Sequence, residues 1–415
     1  MAAIAGSKGR IEERDATGRP WRVALAEALL SGHSSLEEAL DLLRAHARLR
    51  EISVEINMRC NLRCPYCYLA QRSRVKTLPL HVWKARLREA ALHGLSLIAI
   101  VGKEPFIDPS GAELLAFLDD LRRRYHLRFR CGAVTNGTLL ERHIEALASI
   151  TRIDYLDISL DGLGPRHDEI RGPGSFAAAL RGFRAARELP NLGSLFVNTV
   201  VHWRNLDSVP EFVAGMVDLG VENMHFSPVL NFTADPAVEE LLLSPGQVRR
   251  LVYELGELSE RVPGQTIFEL PIEYVWRFLG DGLISVDDIK EDANGVLYVR
   301  PGPTRRFYLK TTVLPGHFWC SARISHEGLY LGELDTVAWA LPEYALGNIL
   351  HEPILDIFAT ARDKGGWFER YYRFTFGRLI SLARRGGLTA IDFPPPDAWR
   401  RMPLPALTVP LMQQI

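Results

Sequence analysis

Three of the chain's five cysteines fall within eight residues, in the segment Cys60-Asn61-Leu62-Arg63-Cys64-Pro65-Tyr66-Cys67. Thiolates are the ligands that iron–sulfur clusters require. A Cys-x3-Cys-x2-Cys loop lets Cys60, Cys64 and Cys67 converge on one face of a 4Fe–4S cube. Three ligands for four irons leave one iron open to bind another molecule. Structural zinc is the competing reading, but zinc sites are normally closed by four ligands in two pairs. Cys131 and Cys320 are isolated, and the nearest histidine downstream of Cys67 is His81. An odd cysteine count grouped in this way does not suit a disulfide framework in a chain of 415 residues.

The elements that would carry this loop show a regular rhythm. Residues 51–57 alternate as a strand does, and the cysteines follow directly on a loop. Further strands are expected over 95–101, 128–135, 155–160, 194–201 and 223–229, separated by helices near 81–93, 110–124, 139–149, 176–188 and 208–219. Such alternation implies parallel strands with right-handed crossovers. The expected fold is α/β, either a partial (βα)6 barrel or an open doubly wound sheet. In both, the site lies at the strands' C-terminal ends. The boundaries expected are a helical segment 1–49, the α/β core 50–235, a smaller α+β domain 236–360, and a helical then Pro-rich tail 361–415.

Composition adds exclusions. Apolar residues are 47% and charged residues 24%, as in ordinary globular proteins, and the net charge of −1 favours neither nucleic acid nor an anionic membrane. The basic run at Arg378, Arg384 and Arg385 reads as a solvated helix face. No signal peptide or membrane span is apparent, so a cytoplasmic location is expected.

Over roughly residues 50–230 the chain resembles the radical S-adenosylmethionine (radical SAM) enzymes. The cysteine loop, with the aromatic Tyr66 before its third cysteine, resembles that family's cluster-binding loop. Gly102-Lys103-Glu104-Pro105 is similar to a Gly-Gly-Glu-Pro turn, with Lys103 replacing a glycine. Val134-Thr135-Asn136-Gly137-Thr138 resembles the family's Thr-Asn-Gly turn. Ile158-Ser159-Leu160-Asp161-Gly162 resembles its Ser-Leu-Asp-Gly segment, and His167 to Gly172 the next stretch. Asn198 lies in a similar fifth strand, and His225-Phe226-Ser227-Pro228 closes the sixth near the adenine region.

The resemblance implies one 4Fe–4S cluster on Cys60, Cys64 and Cys67, and S-adenosylmethionine as cofactor. Tyr66, Gly102, Lys103, Glu104, Asn136, Ser159, Asp161, Arg171 and Asn198 would contact the cofactor. Ser159 would reach it directly, and Arg171 would pair with its methionine carboxylate. The activity implied is reductive cleavage to a 5′-deoxyadenosyl radical that abstracts hydrogen from substrate. A reductant such as flavodoxin or ferredoxin would supply the electron.

A second resemblance begins at Cys320. The stretch 320–329, with Leu346-Gly347-Asn348-Ile349 further on, is similar to the auxiliary-cluster domain called SPASM or its shorter twitch form. Glu333 stands where that family has a cysteine, so the expectation is a scaffold that has lost its auxiliary clusters. His326 and Glu333 remain alternative ligands. Cys320 then reads either as a buried thiol or as a catalytic hydrogen-atom donor of the kind radical epimerases use. Cys131, inside a strand, reads as core.

Three function classes follow. The first is a radical enzyme acting on a sugar, aminocyclitol or nucleoside-like small molecule, by epimerisation or redox-neutral rearrangement, as in antibiotic or other specialised-metabolite biosynthesis. The second is a peptide-modifying radical enzyme, set lower because residues 1–50 are too short for a leader-binding module. A radical dehydrogenase is a variant of these, and a non-catalytic metal-binding protein is the third class.

Overall fold

A computed structural model describes residues 37–38, 41, 49–67, 77–229, 236–270 and 347–362, with the strand segments 289–291, 297–299, 307–311, 321–324 and 329–331. The first strand, β1 (Glu51–Glu55), is followed by the cysteine loop and helix α1 (Leu80–Leu92). Then come β2 (Leu97–Val101), α2 (Ser110–Arg124), β3 (Arg130–Thr135), α3 (Ile144–Ala148), β4 (Tyr155–Ser159), α4 (Pro165–Arg171) and α5 (Ser175–Arg187). The core continues with β5 (Leu195–Val201), α6 (Val209–Asp218), β6 (Asn223–Pro228), α7 (Pro236–Glu239), α8 (Pro245–Leu258) and β7 (Thr266–Leu270). The later elements are β8 (Ile289–Glu291), β9 (Leu297–Val299), β10 (Phe307–Thr311), β11 (Ser321–Ile324), β12 (Leu329–Leu331) and α9 (Ile354–Arg362).

The six expected strands form in the expected order and lie side by side, β1 to β6, all parallel. They curl into the half-barrel of an α/β core. The sheet then extends at both edges. Parallel β7 and β10 follow β6, and parallel β11 joins β1 from the other side. Antiparallel β12, β9 and β8 finish the edges. Strands of the region 236–360, read from the sequence as a smaller separate domain, thus join the core sheet in the described residues. Periodicity cannot show this, because it marks a strand but not the edge it pairs with.

Alternation along the strands divides the sheet's two faces. Ile52, Val54, Ile98, Ile100, Ala133, Leu156, Ile158, Val197, Met224 and Phe226 are all buried in the hydrophobic core. The intervening residues include Ser53, Glu55, Asp157, Ser159, Asn198, His225 and Glu269, so the opposite, inner face is markedly polar. Cys131 is in register with Ile98 and fully buried. Burial pushes its thiol up to about 12, despite the nearby Arg122 guanidinium, as suits the core role read from the sequence.

The helices reach the strand ends through glycine. Gly137, in the turn after β3, has φ +74°, the left-handed region that favours glycine. Gly182 of α5 backs this turn: a Cβ there would lie 2.2 Å from the Gly137 carbonyl oxygen. Gly182→Ala is therefore expected to push α5 off the turn and destabilise the protein by about 1–3 kcal/mol. Urea unfolding monitored by circular dichroism checks this.

Candidate cluster and cofactor site

The loop after β1 is pinned before it reaches the first cysteine. Asn57 Nδ2 donates to the Glu104 carbonyl at 2.9 Å, and Asn57 Oδ1 accepts from the Arg59 amide at 2.9 Å. The Glu104 and Lys103 amides in turn donate to the Arg59 and Asn57 carbonyls. Gly102 (φ +140°) allows this approach, since a Cβ there would lie 3.1 Å from the Asn57 oxygen. The resemblance did not mark Asn57, whose role is one of backbone geometry.

Glu104 is fully buried beneath the turn. Its Oε1 accepts from the Thr135 hydroxyl at 2.6 Å and the Phe106 amide at 3.0 Å, and its Oε2 from the Asn136 amide at 2.8 Å. Burial raises its carboxyl, against the opposing pull of these donors. Glu104 thus welds the β2 turn to the β3 turn. In Glu104→Gln the amide end cannot accept from Asn136, so one buried donor is orphaned at a cost of about 1–3 kcal/mol. The expected result is weaker S-adenosylmethionine binding with unchanged iron content, read by equilibrium dialysis and iron analysis.

Asn136 connects this weld to the cysteines. Its Nδ2 donates to Asn61 Oδ1 at 3.0 Å and to Cys60 Sγ at 3.6 Å, and the Leu62 amide also donates to Cys60 Sγ, at 3.3 Å. Asn61 reaches back to the Thr138 hydroxyl at 2.8 Å.

The other end of the loop is held by Asp161, at the end of β4. Its carboxylate accepts from the Tyr66 hydroxyl, from Arg171 Nε at 2.6 Å and Nη2 at 3.1 Å, and from the Val200 amide at 3.0 Å. The Arg171 guanidinium also lies over the Tyr66 ring, 5.7 Å from its centroid. Burial alone would raise the Asp161 carboxyl, but the guanidinium and these hydrogen bonds outweigh it and hold the carboxyl below its usual range. The fork of Arg171, expected on the methionine carboxylate, engages Asp161 here. Through Asp161 and Tyr66 it orders the loop between Cys64 and Cys67.

His167 donates nothing to this pair; its Nδ1 accepts from the Asp161 amide at 3.1 Å. Burial, then the Arg171 charge, lowers it to about 4. Ser159, the last residue of β4, is in direct register with Asn198 in the middle of β5. Cys320, His326 and Glu333 lie outside the described residues. Of the Leu-Gly-Asn-Ile segment, Gly347 to Ile349 are described, and Arg86 Nε of α1 donates to the Ile349 carbonyl at 2.6 Å.

The donor set fits an iron–sulfur cluster. Three soft thiols share one loop, and the first sulfur already receives two N–H donors of the kind that tune cluster sulfurs. Burial pushes the Cys64 thiol up to about 11, so ligation needs a metal to displace its proton. Among the described residues no three His, Cys, Asp or Glu side chains could hold a single metal ion. A cube binds each thiolate through a different iron, which sets the sulfurs further apart.

The model of the Radical SAM superfamily matches residues 54–214, the stretch that holds all these turns. The chain carries a radical SAM domain. Such a domain uses a 4Fe–4S cluster and S-adenosylmethionine. Among curated proteins, Fe-coproporphyrin III synthase of Methanosarcina barkeri is 30% identical over 168 residues, 39% of this chain and 40% of that protein. PqqA peptide cyclase of Ruegeria pomeroyi is 28% identical over 228 residues, covering 53% and 58%. The antilisterial bacteriocin subtilosin biosynthesis protein AlbA of Bacillus subtilis is 23% identical over 327 residues, covering 77% and 62%. The chain spans about half the length of the curated relatives it matches. Among solved structures, Streptococcus suis SuiB bound to precursor peptide SuiA shares the fold, with TM-score 0.57 and 16% identity over 78% of this chain and 68% of that one. No described helix is long and apolar enough to cross a membrane.

Proposed function

We propose that this radical SAM enzyme modifies a peptide. The observation that carries this is the match to the subtilosin biosynthesis protein, which extends over 77% of the chain, far beyond the family domain. The PqqA peptide cyclase match, over 53% of the chain, supports it. The match to Fe-coproporphyrin III synthase favours a small molecule but stops at 39%. The small-molecule substrate placed first in the sequence reading therefore yields to the peptide. That order rested on the shortness of residues 1–50, which says nothing about what the barrel holds.

In this reading Cys60, Cys64 and Cys67 hold the cluster. With its cofactor bound, the cluster supplies a 5′-deoxyadenosyl radical that takes hydrogen from substrate. The turns carrying Gly102, Lys103 and Glu104, and Asn136, form the rim beside the cysteine loop, and Ser159 and Asn198 face the cofactor from β4 and β5. Tyr66, Asp161 and Arg171 fix the geometry of the loop that would hold the cluster.

Substrate-stimulated cofactor cleavage tests the substrate class. Reconstituted protein with dithionite and S-adenosylmethionine is offered a peptide library or a panel of sugars, aminocyclitols and nucleosides. Stimulated 5′-deoxyadenosine release by peptides alone is expected. Stimulation by the small molecules alone would overturn the peptide reading.

A further inference from the structure

A second set of polar residues lies on the barrel's inner wall, outside the cluster and its turns. His225 of β6 stands between two carboxylates. Its Nδ1 lies 3.4 Å from Asp157 Oδ2 of β4, and its Nε2 lies 3.2 Å from Glu269 Oε2 of β7, within ion-pair range though off the hydrogen-bond line. All three side chains are largely buried. Asp157 reaches His225 across β5, and the two-residue offset over two strands is the stagger of a tilted parallel barrel. Burial alone would lower the imidazole, but the two carboxylates outweigh it and push it up to about 9.

What marks this set is how little Asp157 receives. Two neighbouring buried carboxylates, Asp161 and Glu104, each take three or more donors. Asp161 takes the Tyr66 hydroxyl, two Arg171 donors and the Val200 amide, and Glu104 takes Thr135, Phe106 and Asn136. Asp157 is 7% exposed, yet its carboxylate has one described partner, His225, at 3.4 Å. An ionised carboxylate offers about four acceptor sites, so Asp157 keeps acceptor capacity beyond the one contact to His225. Asp157 alternates with the core residues Leu156 and Ile158, so its side chain is on the sheet's inner face. The residue lies two residues from Ser159 toward the N-terminal end of β4, about 7 Å along the strand, and so deeper than the Ser159–Asn198 row.

We infer that Asp157, backed by His225 and Glu269, is where the barrel takes hold of an N–H donor group of its substrate, cationic before neutral. The inference rests on the radical SAM reading for what lies above it, since the Ser159 row is given to the cofactor and the deeper layer is left to substrate. An imidazolium clamped between two carboxylates keeps both acids oriented and ionised, and the acceptor sites of Asp157 beyond His225 take a charge-assisted hydrogen bond.

Full-length reconstituted protein carrying isotope-labelled histidine provides the test. The His225 signal is identified by its loss in His225→Gln and followed by NMR on titration with n-butylguanidinium, n-butylammonium, N-methylacetamide or S-adenosylmethionine. The expected result is a saturable shift with the two cations, weakened about tenfold or more in Asp157→Asn, whose cofactor affinity stays within about twofold of wild type. Should Asp157→Asn not fold, Glu269→Gln supplies the same comparison. No saturable shift, or one undiminished in the variant, overturns the inference. Weakened S-adenosylmethionine binding in Asp157→Asn also overturns it, by giving the site to the cofactor. Formation of 5′-deoxyadenosine by the same wild-type sample tests the radical reading separately.

Discussion

Cys64→Ala protein is expected to lose S-adenosylmethionine cleavage entirely, and Cys60→Ala and Cys67→Ala likewise. The reason is the ligand count. Each of the three thiolates would hold a different iron of the cube, and among the described residues the one other cysteine, Cys131, is buried on the far face of β3 with its thiol pushed up to about 12. Losing one of three ligands leaves two irons without a protein partner. The pinned ends of the loop remain, so the fold is expected to survive. The measurements are iron per chain after anaerobic reconstitution and 5′-deoxyadenosine after reduction. Retained cleavage in any of the three variants would remove this loop from the account.

The second large effect is structural. Asp161→Ala leaves the Arg171 guanidinium, 8% exposed, without its counter-charge. Removing one partner of a buried ion pair typically costs about 3–5 kcal/mol, because the remaining charge stays buried. Tyr66→Phe deletes only the hydroxyl donor to Asp161 and is expected to cost about 1 kcal/mol. The ordering of the two variants in urea unfolding, Asp161→Ala well below Tyr66→Phe, checks the assignment of Asp161 as the hub. Equal, small losses would mean that Arg171 finds another partner and that the loop is held elsewhere. Slower iron loss to a chelator in wild type than in Tyr66→Phe would tie the hub to the cluster loop itself.

Much of this was legible in the sequence. The six core strands appear because each alternates or runs apolar between turn residues, and the turns at Glu104, Asn136 and Asp161 sit where parallel strands end. The use made of each side chain was less legible. Arg171 and Asp161 both read as cofactor contacts, whereas the structure joins them to each other. A pairing ten residues apart across a turn and a short helix has no periodic signature. Asp157, His225 and Glu269 lie on β4, β6 and β7, and only the barrel's stagger brings them together. Nothing in the local spacing around Asp157 or Glu269 marks either residue. The extension of the sheet by β7, β10 and β11 was hidden for the same reason: register between distant strands is a property of the folded chain. The choice of substrate class was the least legible, since no motif reports what the inner wall must accommodate.

The most direct test is anaerobic iron quantification on the reconstituted full chain, followed by an assay for 5′-deoxyadenosine with dithionite and S-adenosylmethionine. The account predicts about four irons per chain and 5′-deoxyadenosine that depends on reductant. No iron after reconstitution, with zinc bound to the cysteine loop instead, would contradict it.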